Sequence, residues 1–125
     1  GTINAGADGE GTISVFDGQD NAAPDTVTFA GIIGGTNDPG VLKVGSSTEG
    51  GSAVFSAAVS VLAITVEGGD AANEDSVVEF QAATTTATIL LQDTGSGGTT
   101  LANFNTATTA DFDTLLCDGQ VIDPW

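Results

Sequence analysis

The chain has 125 residues, 61 of them Gly, Ala, Thr or Ser, and sets 17 carboxylates against one cation, Lys43, for a formal charge of -16. That length holds one domain with a modest core, read as a single all-β domain over 1–125. The charge repels a phosphate backbone or an anionic bilayer, which excludes nucleic acid as a partner, and 40% hydrophobic content is too high for a solvated disordered tail.

Short runs of β-branched and aromatic residues alternate with clusters of Gly, Asn, Asp, Pro and Ser. They predict strands at Gly11 to Phe16, Thr26 to Ile33, Val41 to Val44, Ala53 to Val66, Ser76 to Gln81, Thr86 to Leu91, Thr100 to Phe104 and Asp111 to Leu116. About eight short strands at this spacing predict an antiparallel β-sandwich or jelly roll. Thr26 to Ile33 opens in strict alternation, with Val27 and Phe29 on one face and Thr26 and Thr28 on the other. Ala53 to Val66 has enough alanine for a buried helix. Its second half is nevertheless rich in β-branched residues, and Gly50, Gly51, Gly68 and Gly69 bracket it, so it is read as a strand. Gly95-Ser96-Gly97-Gly98 reads as a hairpin loop. The Thr and Gly content suits a β-solenoid, but no fixed period supports one.

No apolar run reaches the roughly 18–20 residues that cross a bilayer as a helix, since Ser56, Ser60 and Thr65 interrupt the longest. A start at Gly1 without Met fits a removed initiator Met or a cleaved signal peptide. Cys117 stands alone, so an internal disulfide is excluded, and it reads as a small buried hydrophobe.

The chain contains no His, Tyr, Met or Arg, which removes the commonest general base and the usual anion clamp. A carboxylate pair, or a Ser or Thr activated by Lys43, is the remaining chemistry, and no constellation of residues marks either. The chain is therefore read as no enzyme.

Its oxygen-rich side chains suit a hard cation, and calcium is the expected cofactor if there is one. The candidate ligands are Asp17 with Asp20 and Asp111 with Asp113; Asp70, Glu74 and Asp75 form a further cluster. On a strand, Asp111 and Asp113 point the same way around an inward Phe112. Asp8-Gly9-Glu10-Gly11-Thr12-Ile13 resembles the middle of an EF-hand calcium loop. Gly6, however, stands where that loop needs its first Asp, and the residues that follow read as a strand rather than a helix. Lys43 reads as a gatekeeper paired with an acid, with an isopeptide bond to Asn or Asp as the sharper alternative. The Thr clusters at 84–88 and 106–109 read as strand faces.

These features predict a non-catalytic structural subunit that self-assembles into an extracellular filament, pilus-like fibre or surface coat. A virion decoration or fibre protein, and a calcium-dependent adhesive or carbohydrate-binding module, are the alternatives. The expected partner is the chain itself. Val121, Ile122 and Trp125, in an apolar tail, are the expected assembly residues, reaching out to dock on a neighbour.

Overall fold

The computed structural model describes residues 1–17, 24–93, 97–105, 109–117 and 120–122. Among them lie thirteen strands: β1 (Thr2–Ile3), β2 (Glu10–Val15), β3 (Thr26–Phe29), β4 (Ile32–Ile33), β5 (Pro39–Val44), β6 (Gly51–Phe55), β7 (Val59–Ser60), β8 (Ala63–Glu67), β9 (Ser76–Phe80), β10 (Thr84–Gln92), β11 (Thr100–Phe104), β12 (Ala110–Cys117) and β13 (Gln120–Ile122).

Every strand pair but one is parallel. A four-stranded sheet runs β3-β6-β9-β11, and a nine-stranded sheet holds the remainder. In the four-stranded sheet Phe29, Phe55, Phe80 and Phe104 stand in register, 26, 25 and 24 residues apart. Strands that pair in parallel one coil later, rather than folding back on their sequence neighbours, make this a parallel β-solenoid of about four turns. Each turn visits three faces. The first is the four-stranded sheet. The second carries β4, β7 and the opening residues of β10 and β12, and the third carries β5, β8 and the later residues of β10 and β12.

The expected antiparallel sandwich or jelly roll is thus overturned, although the all-β class stands. The reason is physical. A strand with one buried face alternates identically whichever way its neighbour runs, and Gly-rich segments that look like hairpin turns are here the corners of a coil. Gly97 and Gly98 sit on such a corner, between β10 and β11, whereas 94–96 fall outside the described residues. The repeat escaped notice because corner lengths differ. On the third face the aligned residues Ile13, Leu42, Ile64, Ile89 and Leu115 are 29, 22, 25 and 26 residues apart. Two expected strands are also subdivided. Thr26 to Ile33 becomes β3 and β4, and Ala53 to Val66 becomes β6, β7 and β8, each break being a change of face.

The core is the inward column from each face. Phe29, Phe55, Phe80 and Phe104 stack with ring centroids 4.8, 5.4 and 5.1 Å apart, and Phe112 closes the ladder 6.2 Å from Phe104. Opposite them lie buried Leu42, Val44, Ile64, Val66 and Ile89. β-Branched and aromatic side chains suit this layered interior because each packs on its counterpart one turn away. At one corner Ser76 ties successive turns together: its buried Oγ donates to the Glu67 carbonyl at 2.5 Å and accepts from Gly51 N at 3.0 Å.

The two ends of the coil differ. In the last turn Phe112 stands in register with Thr86 of the turn before, a larger group that fills the interior there. Beyond it the backbone of β13 pairs antiparallel with β12, Leu115 opposite Ile122 and Leu116 opposite Val121. At the first turn two inward side chains lie open, whereas Val15 is buried and Ile13 and Phe29 are partly buried against the core. Ile3 is 44% exposed while its partner Ile33 is 0%, and Val27 is 46% exposed while its partner Ala53 is 1%.

Candidate functional site

The carboxylates concentrate on corners, where most are hydrogen-bonded to backbone. Asp38 accepts from Gly35 N at 3.1 Å and from Ser60 Oγ at 2.6 Å, and its own N–H donates to Asp8 Oδ1 at 2.9 Å. Asn37 Nδ2 donates to the Gly6 carbonyl at 3.1 Å, so the segment before β2 is held against the corner before β5. The stretch that resembles an EF-hand loop is therefore a turn entering a strand. Asp75 Oδ1 accepts from Thr99 N at 2.7 Å and from Thr99 Oγ1 at 2.8 Å. Buried Glu74 accepts from Ala71 N at 2.9 Å through Oε2. Charge-assisted bonds of this kind fix loop shape, since each carboxylate satisfies N–H groups that a corner leaves unpaired. Glu49 Oε2 is the buried side-chain oxygen that has no hydrogen-bond partner among the described residues.

Asp111 and Asp113 lie exposed on β12, on either side of half-buried Phe112. Asp17 follows β2, where its N–H donates to the Gly50 carbonyl at 2.9 Å and its carboxylate accepts from Asp25 N at 3.4 Å. Asp20 lies outside the described residues. Asp17 follows β2 in the first turn, whereas Asp111 lies in the opening residues of β12, four strand spacings further along the coil, roughly 19 Å at about 4.8 Å each. Asp17 and the Asp111 pair do not meet in one site. No group of three or more His, Cys, Asp or Glu that could hold a metal occurs among the described residues.

Lys43 Nζ lies 2.6 Å from Glu67 Oε2 on the outside of the third face, bridging β5 and β8. Its partner is a glutamate rather than the Asn or Asp of an isopeptide pair. This lysine is also the single trypsin site of the chain. Because β5 is held between β2 and β8, a protease cannot draw its backbone into an extended complex without breaking the sheet. The native protein is expected to stay intact in trypsin and, once unfolded in urea, to give two fragments, 1–43 and 44–125. Rapid native cleavage on an electrophoretic time course would show that β5 opens locally.

The backbone of Val121 and Ile122 is in β13, paired with its own chain, and Trp125 lies outside the described residues. Cys117 is half-buried. The surface that sequence reasoning missed is the open first turn, with Ile3 and Val27 as its apolar layer. The Phe29, Phe55, Phe80 and Phe104 spacing is the signal that reveals it, because it marks Val27 as the outermost member of a column whose next member, Ala53, is fully covered.

What the fold defines is a parallel β-solenoid of about four turns whose four-stranded sheet has an unpaired edge strand at each end among the described residues, β3 and β11. Among the described residues there is no helix long and apolar enough to cross a membrane. No family model, curated protein or solved structure matches the chain.

Proposed function

We propose that this chain is a non-catalytic structural subunit that acts by self-association, in an extracellular or surface setting. The observation that supports this reading is the first turn, where Ile3 and Val27, in register with fully buried Ile33 and Ala53, are nearly half exposed. An uncovered parallel edge also presents a row of unpaired backbone groups to any matching strand. The low content of trypsin sites agrees with an exposed location. Sedimentation velocity over a range of concentration and salt tests the reading. Two chains of charge -16 repel, so association is expected to strengthen as salt is raised toward about 0.15 M and beyond, where the Debye length falls to about 8 Å. A monomer under every condition would sink the reading.

A further inference from the structure

We draw no further inference here: the strongest candidate, the pair of edge strands left unpaired among the described residues of the four-stranded sheet, β3 with its exposed Val27 and β11 with its exposed Leu101, carries nothing, because nothing in the structure shows what covers either edge.

Discussion

Gly68→Ala is expected to cost about 4 kcal/mol or more, enough to leave little native protein in a domain whose total stability is on the order of 5–15 kcal/mol. The cause is distance rather than dihedral angle. A Cβ on Gly68 overlaps the carbonyl of Gly98 one turn along, a Cβ on Gly98 overlaps the carbonyl of Glu74, and a Cβ on Gly97 overlaps that of Gly69. These obstacles are backbone atoms, which cannot rotate aside as a side chain can. Relief requires the corner to move outward, and that corner also carries the hydrogen bonds Gly98 N to Gly69 O at 2.9 Å and Gly69 N to Glu74 O at 3.0 Å. Close approach of stacked corners is thus what these glycines serve. Gly11 is the control. Its φ is +78°, but nothing lies within 4 Å of its Cβ position, so Gly11→Ala bears only the left-handed backbone cost of about 1–2 kcal/mol. Urea midpoints of the two variants measure the difference. Equal losses would mean that the corners are not packed on one another.

Phe80→Ala is expected to lose about 4–5 kcal/mol. Phe80 is fully buried, and truncating a buried phenylalanine typically costs 3–5 kcal/mol through lost transfer energy and the cavity left behind. It also lies between two rings, Phe55 at 5.4 Å and Phe104 at 5.1 Å, and each such pair contributes about 0.5–1.5 kcal/mol beyond area. Collapse cannot refill the space easily, because every neighbour is held in register by a parallel ladder on both sides. Phe29→Ala removes the end of the stack, a half-buried ring with one ring neighbour, Phe55 at 4.8 Å, so about half the loss is expected. Denaturant unfolding of the two variants, with the slope m checked for constancy, gives the ratio. Similar losses at both positions would show that the ladder is not the spine of the core. The double variant Phe55→Ala with Phe80→Ala should fall short of the sum of the single losses, since the two rings share one contact.

Strand positions were legible because the signals for them are local. Thr100 to Phe104 matches β11, Val41 to Val44 lies within β5, and Asp111 to Leu116 lies within β12. β-Branched residues and period-two alternation act within a few residues of themselves, and they also put Asp111 and Asp113 on one side of their strand. Face changes inside Ala53 to Val66 were not legible. The chain bends there at Ser56-Ala57-Ala58 and Val61-Leu62, with none of the Pro or Asn-Gly punctuation that marks a reversal.

By itself, then, the sequence determined an all-β chain and the alternation that sets Val27 with Phe29 on one face of their strand. Direction of pairing was decided only in three dimensions. The same inward column of Phe29, Phe55, Phe80 and Phe104 satisfies either a sandwich or a coil, and the choice depends on corner glycines close enough for one turn to lie on the next. Which residues meet across turns follows from that stacking order. It depends on distances between residues some 25 positions apart, and alternation carries no information at that range.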